Sequence, residues 1–407
     1  NSDNFHVTLM RLPYDDAEDF KPFNSEGAWS ATIVEGGDDF ITLRSTVEGS
    51  GSDNAQQTGV KSIEGAGEHP IDFWIDFKGT IPEGATPRCA IVRVRYHNYT
   101  CEHDIFVRQG YAPITINGNA ESNNNPAWTS YNVYRFDANN APVYTKSPLE
   151  EGSLFRRGNR TAILASNNDR SGFTFGVEPT GSFNVLEFGS ATTSQKTWSQ
   201  LAPSADDVKS RFASWSIAGD HERIATIEDF YTLESTSIHS NINKAYGVLY
   251  GDGATETQKS VKEAFGYDHN EDPTNSKKGM RGCFVFNVNN SRNIFFPIGK
   301  SGYGRRKGMT SNGEKVGTLR YAQRTDYYNN DGTGNIQYVP LFYDLFERPG
   351  AIYQCRNRLE STNNEVKNSS AFDINYFTMG FEGFENGASN NNNGSDSDAC
   401  FIRTVKY

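Results

Sequence analysis

The sequence has no apolar run that approaches the roughly 20 residues a membrane-spanning helix needs. It also lacks, at Asn1, the charged and then apolar segment that is typical of a secretory signal peptide. These absences leave two expectations for the chain. It is either a cytosolic protein or the mature form of an exported one.

Positive charge is scarce. The chain has 39 Lys and Arg against 50 Asp and Glu, a net charge of -11 and a pI of about 5.2. A broad nucleic-acid surface needs clustered Lys and Arg to neutralise phosphates. The one dense basic cluster is the short "GYGRRKG". The balance therefore predicts no nucleic-acid partner.

Cysteine is also sparse, with five residues in 407 and no CxxC pair. Their wide spacing excludes a zinc site built from two cysteine pairs, and the odd number leaves at least one thiol unpaired. Cys89 and Cys101 flank "AIVRVRYHNY" and would approach each other if the two neighbouring strands pair in a suitable geometry. The sequence leaves a disulfide open.

Familiar catalytic motifs are missing: the sequence contains no HExxH, GxSxG or GxxxxGK[ST]. "GKSGYGRRKG" at 299–308 is rich in glycine and arginine and could hold an anion, but no convincing helix follows it, so a β-turn with exposed arginines is the alternative. Glu228 and Asp229 are adjacent on a predicted helix and point apart, unlike a glycosidase pair. We predict a protein that is not an enzyme and has no catalytic residues.

Aromatic residues are plentiful, with 27 Phe and 20 Tyr, among many Asn, Gly, Ser and Thr. Over residues 1–113, apolar and polar side chains alternate in six segments punctuated by Gly, Asp, Asn and Pro, which predicts a β-sandwich. The six segments are "FHVTLMRL", "AWSATIVEG", "FITLRSTV", "IDFWIDFKG", "AIVRVRYHN" and "HDIFVRQG". The period favours as inward residues Trp29, Trp74, Val92, Val94, Ile105 and Val107.

Helix signals enter after about Gly152, so residues 114–407 are predicted to form an α+β domain. Capping patterns start helices at "SADDVKSRFASW" and "TETQKSVKEAFG". A third helix starts at Thr226, with Asp229 completing a capping box. Ile227, Phe230 and Leu233 should face the core, with Asp229 mostly on another face. Strands follow at "CFVFNVN", "NIFFPIG", "GTLRYAQ" and "CFIRTVKY".

The first domain resembles a known module. Its tryptophan strand, Gly-rich middle, "RCAIVRVRYHN" and closing "DIFVRQG" are similar to the BACON domain, an immunoglobulin-like module of surface and secreted proteins of gut Bacteroidetes. The resemblance covers about 80 residues. It implies a spacer or interaction module without catalysis in an exported protein whose signal has been removed.

The second domain carries another resemblance. The order "RIATIEDFYTL", "YGVLYGDGATE", "GMRGCFVFN", "IFFPIGKSGYGRR" and "CFIRTVKY" is similar to the Fibrobacter major paralogous domain of Bacteroidetes surface proteins. That family implies a C-type-lectin-like fold, in which the final strand pairs back near the start of the domain. The Thr226 helix would then be a scaffold helix. Thr404 replaces the family's cysteine in the final strand, and Ala225 replaces a proline of the first element.

We predict no required cofactor, and calcium is the one candidate. "DHNEDPTNSKKG" spaces Asp268, Asn270 and Asp272 like the start of an EF-type loop. Pro273 stands at the glycine position, however, and Gly279 at that of the bidentate Glu. Hydrated turn is the alternative, and it is also the alternative for "NNNNGSDSD".

Sugar binding is the second candidate chemistry, because the faces of tyrosine rings suit the CH surfaces of sugars. The chain lacks the Glu-Pro-Asn, Gln-Pro-Asp and Trp-Asn-Asp motifs of calcium-dependent lectins. Ordinary core or loop aromatics are the alternative interpretation. The candidate ligand residues are Tyr303, Arg305, Tyr327, Tyr328, Asn329, Asp331 and Tyr338.

Together these features predict a mainly β protein of two domains, an immunoglobulin-like β-sandwich followed by an α+β C-type-lectin-like domain. The resemblances imply a secreted or outer-membrane surface adhesin that contacts a host or dietary glycan or a surface protein. A structural subunit of a pilus or surface complex, which would contact other pilus subunits, is the alternative. A carbohydrate-active enzyme is a further alternative, for which the sequence offers no acid/base pair.

Overall fold

The computed structural model describes residues 4–11, 21–22, 24–37, 39–45, 57–67, 70–148, 150–156, 159–165, 181–201, 221–233, 241–249, 280–297, 352–355, 370–375, 380–383 and 399–407. Within these ranges the chain is mainly β-structure arranged in several sheets, with little helix. It forms two compact units. The first comprises Asn1–Gly118, Asn241–Asn243 and Phe286–Ile294; the second comprises Asn119–Ser240, Lys244–Val285 and Phe295–Tyr407.

The strands that lie wholly within the first unit come from its long N-terminal segment. All six sequence segments predicted as strands form strands. The full set of strands in this N-terminal segment is β1 (Asn4–Thr8), β2 (Met10–Arg11), β3 (Lys21–Pro22), β4 (Trp29–Gly36), β5 (Ile41–Ser45), β6 (Ser62–Gly65), β7 (Asp72–Phe77), β8 (Arg88–Tyr96) and β9 (Cys101–Gln109). These strands number nine, because the first predicted segment forms both β1 and β2 and because β3 and β6 are additional.

Two sheets enclose the core of the first unit. One has the order β1-β7-β5 and the other β6-β4-β8-β9, and β2 pairs with β3. Trp29 is fully buried and stacks on Phe73 with ring centroids 6.5 Å apart. Opposite Trp29 in the β4–β6 register is Gly65, where a Cβ atom would lie 2.3 Å from the indole ring. The tryptophan strand that the sequence indicated thus supplies the centre of this core.

Of the six residues predicted to point inward, the prediction for Trp74 is wrong. Phe73 and Ile75 are the buried residues of β7, and Trp74 points to the opposite face, where the Arg44 guanidinium lies 4.8 Å from its ring centroid. The run of apolar side chains in "DFWIDF" allows either alternation, and the cationic partner makes the outer face favourable for the indole. The other five were predicted correctly: Trp29, Val92, Val94 and Val107 are buried and Ile105 packs against the core.

Cys89 and Cys101 do not approach each other. In the β8–β9 register Cys89 lies opposite Arg108, whereas Cys101 lies opposite Tyr96, at the other end of the hairpin. Seven residues of strand separate the two positions, about 23 Å at 3.3 Å per residue. Both thiols are free. The strands pair as expected, but the turn falls beside Cys101 and places Cys89 at the far end.

The strands of the second unit are shorter. They are β10 (Ala127–Trp128), β11 (Val133–Phe136), β12 (Pro142–Tyr144), β13 (Ser153–Arg156), β14 (Ala162–Leu164), β15 (Ser182–Leu186), β16 (Thr193–Thr197), β17 (Glu222–Ile224), β21 (Ile352–Cys355), β22 (Ser370–Asn375), β23 (Gly380–Gly383), β24 (Ala399–Cys400) and β25 (Thr404–Lys406). Strands that have residues in both units are β18 (Ile242–Leu249), β19 (Met280–Asn287) and β20 (Asn293–Pro297).

Several small sheets build the second unit. Their strand orders are β10-β25-β17, β11-β12, β16-β15-β14-β13-β24 and β21-β22-β23, and β18-β19-β20 forms a further sheet. A short 3-10 helix spans Ser199–Leu201. The helices predicted at 204–215 and 255–266 and the strand predicted at 317–323 lie outside the described residues.

An aromatic cluster forms one core of this unit. It consists of Trp128, Phe230, Phe296, Tyr353 and Phe401, each at most 1% exposed. Neighbouring ring centroids are 4.9–6.0 Å apart. Edge-to-face and tilted contacts at these distances contribute beyond the area that the rings bury. The cluster brings residues that are distant in sequence into one place.

The helix predicted to begin at Thr226 is confirmed and is short. Helix α1 spans Ile227–Tyr231, and both bonds of the capping box are present: the Asp229 amide donates to the Thr226 hydroxyl, and the Thr226 amide donates to the Asp229 carboxylate. Phe230 and Leu233 are fully buried, as predicted. Asp229 was expected on another face but is completely buried, where it pairs with Arg223.

Candidate functional site

The residues predicted from the sequence to bind a ligand or calcium all lie outside the described residues. The structure therefore brings none of them together and separates none of them. They are Tyr303, Arg305, Tyr327, Tyr328, Asn329, Asp331 and Tyr338 for the ligand, and Asp268, Asn270 and Asp272 for the metal.

Among the residues that are described, a group of buried polar side chains surrounds the final strand. β25 lies between β10 and β17, with Val405 opposite Trp128 on one side and opposite Arg223 on the other. The backbone also bonds just before this strand, where the Val133 amide donates to the Ile402 carbonyl and the Ala225 amide to the Arg403 carbonyl. We call this region the terminal-strand site.

Arg403 is the centre of the terminal-strand site. Its side chain is completely buried, and its guanidinium lies 4.7 Å from the Phe296 ring centroid. Nε donates to the Asn132 side-chain oxygen at 2.8 Å, and the terminal nitrogens donate to the carbonyls of Thr129 at 2.9 Å and Phe295 at 3.1 Å. A buried charge is tolerated only when its donors are satisfied. One side chain thus ties three separate chain segments together.

Asn132 extends this hydrogen-bond network to two further residues. Its side-chain amide donates to the Glu151 carbonyl at 2.8 Å and to the Tyr353 hydroxyl at 3.1 Å. Burial raises the pKa of that hydroxyl, against the opposing effect of nearby Arg403. The tyrosine therefore stays neutral at physiological pH. It serves as a hydrogen-bonding group in the core.

A second buried arginine explains the burial of Asp229. Arg223 Nη2 lies 2.8 Å from the Asp229 carboxylate, and both side chains are at most 9% exposed. Arg223 also donates to the side chain and backbone of Asn123 and lies 4.3 Å from the Tyr407 ring centroid. The carboxylate is therefore neutralised by an ion pair while it caps α1. A helix-surface pattern cannot show such a partner, so the prediction of an outward Asp229 was wrong.

Glu222 is the third charged residue here. It accepts hydrogen bonds from the Tyr144 hydroxyl and from the Thr404 hydroxyl. Burial raises the pKa of its carboxyl above the ordinary value of 4.5, and the Thr404 bond and the charge of Lys406 act in the opposite direction. Burial thus favours the protonated form of Glu222.

The chemistry open to the terminal-strand site follows from these partners. The charged side chains are held by hydrogen bonds within the fold, which favours a bracing role over attack on a substrate. Among the described residues, no group of three or more His, Cys, Asp and Glu side chains could hold a metal ion. Cys89 and Cys283 are buried thiols, and burial raises the pKa of Cys89.

Arg403, Asn132 and Glu222 are not among the residues predicted from the sequence. One signal was available: in "CFIRTVKY" an arginine interrupts an apolar strand, and a charge at such a position is buried only with partners. Its partners Asn132, Thr129 and Phe295 lie 108 to 274 residues away, so the pairing could not be read from local patterns.

No described helix has both the length and the apolar character to span a membrane. Comparison of the chain with protein-family models, with curated proteins and with solved structures gives no significant match.

Proposed function

We propose that the protein is a non-catalytic, exported cell-surface protein that binds a glycan or a protein through loops of its second unit. In this proposal an immunoglobulin-like β-sandwich precedes a C-type-lectin-like domain. The candidate binding residues are those predicted from the sequence, from Tyr303 to Tyr338. Calcium at Asp268, Asn270 and Asp272 is the candidate cofactor.

The observation that carries the proposal is the position of β25. The final strand pairs with β10, near the start of the second unit, and with β17, just before α1. This pairing of the two ends is what a C-type-lectin-like domain requires. Buried Arg403 and the Arg223–Asp229 pair fix the strand. A scaffold fixed in this way can present intervening segments as a binding surface.

A glycan array probed with the full chain, in calcium and again in chelator, tests the proposal. We expect binding that Tyr327→Ala and Tyr328→Ala abolish without a change in melting temperature. Tyr134→Ala, at a second-unit tyrosine that is 37% exposed, is the matched control. Loss of binding in chelator would support the calcium site. Absence of glycan binding under both conditions would contradict the glycan ligand and leave protein contacts.

A second candidate function, a structural subunit of a surface assembly, is favoured by one observation. Among the described strands, the long strand β9 ends its sheet in the first unit, and exposed sheet edges are common sites of assembly by strand addition. A pulldown with candidate pilus subunits, compared between the full chain and an edge variant, would separate the two functions.

A further inference from the structure

Strand β9 is an edge strand of the four-stranded sheet of the first unit. The sheet order is β6-β4-β8-β9, so β9 pairs with β8 on one side and has no other strand beside it among the described residues. The pairing runs without interruption over nine residues, from Cys101 opposite Tyr96 to Gln109 opposite Arg88. At about 3.3 Å per residue this edge is roughly 30 Å long.

The edge strand β9 lacks most of the features that prevent a further strand from pairing with an edge. Edge strands are commonly short, bulged, or interrupted by proline or lysine. β9 contains none of these residues and has no register shift, whereas the neighbouring β4–β8 pairing is bulged between Ile33 and Glu35. At the opposite edge, β6 has only four residues. The two edges of one sheet therefore differ in their capacity to accept a further strand.

The apolar side of β9 is incompletely covered. Ile105 and Val107 both pack against the core cluster, but Val107 is buried and Ile105 remains partly exposed. Alternation places both side chains on the inner face. A strand added beside β9 would cover the exposed part of Ile105, and the sandwich core would continue across the new pairing.

The charges of β9 are arranged for pairing with itself. Glu102 and Asp104 lie in its first half and Arg108 lies near its end. When two copies pair antiparallel with complete overlap, residue numbers of opposed positions sum to 210, so Glu102 faces Arg108 of the other copy twice and Ile105 faces itself. Opposite charges at directly opposed positions are favourable. A shift that centres the pairing on Asp104 or His103 instead opposes acidic residues.

The two ends of this charge pattern are already held in place. Arg93 contacts Asp104 at 2.8 Å and Glu102 at 3.6 Å, and Arg108 donates to the carbonyls of Gly110, Asn293 and Ala112. Arg108 therefore keeps its hydrogen bonds within the chain and acts on Glu102 of the second copy through its charge. The side chains need little reordering before a second copy binds, which lowers the entropic cost of association.

We propose that β9 is a self-association edge, through which two copies of this chain pair antiparallel about a twofold axis at Ile105. The pairing joins two four-stranded sheets into one of eight strands. The proposal does not depend on the ligand of the second unit.

Sedimentation velocity of the full chain over a concentration series tests the proposal. We expect a monomer–dimer equilibrium, and we expect Glu102→Arg to raise the dimer Kd at least tenfold, because it places arginine opposite Arg108 at both ends. Glu64→Arg makes the same charge change on exposed β6 and should leave the Kd unchanged. The melting temperature of each variant reports whether it folds.

Cross-linking tests the register. With complete overlap, Cys101 lies opposite Gln109 of the other copy, so Gln109→Cys should give a disulfide-linked dimer under mild oxidation. Within one chain the two positions are eight residues apart on the same strand, about 27 Å, so that disulfide forms only between copies. Gln109→Cys combined with Cys101→Ser should stay monomeric on a non-reducing gel.

Two results would overturn the proposal. One is a chain that stays monomeric up to about 0.5 mM, a concentration at which a millimolar or tighter dimer would be populated. The other is a dimer whose Kd does not respond to Glu102→Arg and whose Gln109→Cys variant does not cross-link. That second result would place the contact on another surface.

Discussion

At the scale of single residues, the buried pair of Arg223 and Asp229 gives the sharpest stability prediction. Asp229→Asn keeps the size of the side chain and an oxygen for the Thr226 amide, but it leaves Arg223 buried without its counter-charge. Breaking a buried ion pair from one side costs about 3–5 kcal/mol. We expect a loss of that order in the unfolding free energy of the second unit, measured by denaturant titration.

The neighbouring carboxylate supplies the control for this prediction. Glu228→Gln makes the same chemical change one residue earlier in α1, at a position that is only half-buried. Surface substitutions of this kind typically change stability by at most about 0.5 kcal/mol. Equal effects of the two variants would show that Asp229 acts only through the overall charge of the helix start and would contradict the ion-pair argument.

Glu222 provides a prediction on pH. Because burial raises its pKa above 4.5 in the folded state, the folded state binds the proton more tightly than the unfolded state does. Its contribution to stability is therefore fully present below pH 4.5 and is lost as pH rises through the folded-state pKa. Glu222→Gln removes this titration and keeps an oxygen for the Tyr144 and Thr404 hydroxyls.

We therefore expect Glu222→Gln to stabilise the protein at pH 7 relative to the unmodified chain, and the difference to shrink at pH 4. Melting temperatures from pH 4 to pH 8 measure it. Glu187→Gln is a suitable comparison, because Glu187 pairs with Lys196 on a more exposed surface. A Glu222→Gln variant that is less stable than the unmodified chain at pH 7 would show that the charge itself is needed there.

At the scale of secondary-structure elements, the turn between β8 and β9 stores backbone strain. His97, Asn98 and Tyr99 have φ angles of 52°, 54° and 66°, in the left-handed region. Bonds to an adjacent loop hold the turn: the Glu26 amide donates to His97 Nδ1, and the Ala28 amide donates to Asn98 Oδ1. Each such residue other than glycine costs about 1–2 kcal/mol relative to a right-handed conformation.

Tyr99→Gly should therefore stabilise the first unit, by about 0.5–1 kcal/mol after the extra freedom of glycine in the unfolded chain is allowed for. Tyr99 is 46% exposed, so little packing is lost. Asn98→Gly relieves similar strain but removes the bond from Ala28 and should give no gain. Thermal unfolding of both variants measures the contrast. Destabilisation by Tyr99→Gly would show that the tyrosine side chain packs more strongly than its exposure indicates.

The same scale shows what could be predicted locally. Strands β4, β5, β7, β8 and β9 were predictable because each turns one face toward the core, and a strand with one face on the core must alternate. The cap of α1 was predictable because Thr226 and Asp229 are three residues apart. The outward orientation of Trp74 was not predictable, because adjacent apolar residues fit either face of the strand and its partner Arg44 comes from another strand.

At the scale of the whole molecule, the limits of local reasoning come from sequence separation. Arg403 bonds to Asn132, 271 residues earlier, and Asn132 bonds to Tyr353, 221 residues later. No local pattern specifies which distant carbonyl satisfies a buried donor. The terminal-strand site therefore emerged only from the structure. The residues predicted to bind a ligand, from Tyr303 to Tyr338, were chosen from local polar and aromatic patterns, which is the kind of site that sequence can propose.

The first unit includes a segment from late in the chain, and this leads to a last prediction. This segment, Phe286–Ile294, packs against the N-terminal part of the unit. The ring centroids of Phe286 and Phe106 are 4.4 Å apart, and the Ser291 hydroxyl donates to the Cys89 carbonyl at 2.7 Å. Arg292 also donates to the Thr115 carbonyl. We infer that this segment keeps the buried Cys89 thiol from solvent.

Phe286→Ala should therefore increase the rate at which a maleimide labels Cys89 in the full chain, located by peptide mass spectrometry. Removing a buried phenylalanine costs about 3–5 kcal/mol, which favours local opening of the segment over β8 and β9. Val288→Ala, two residues along and 38% exposed, is the control and should leave labelling unchanged. If Phe286→Ala unfolds the whole chain, Cys283 in β19, which is fully buried, will be labelled together with Cys89. Selective labelling of Cys89 identifies the segment as the cover of the first unit, whereas unchanged labelling in a folded variant would mean that the sandwich protects this thiol without it.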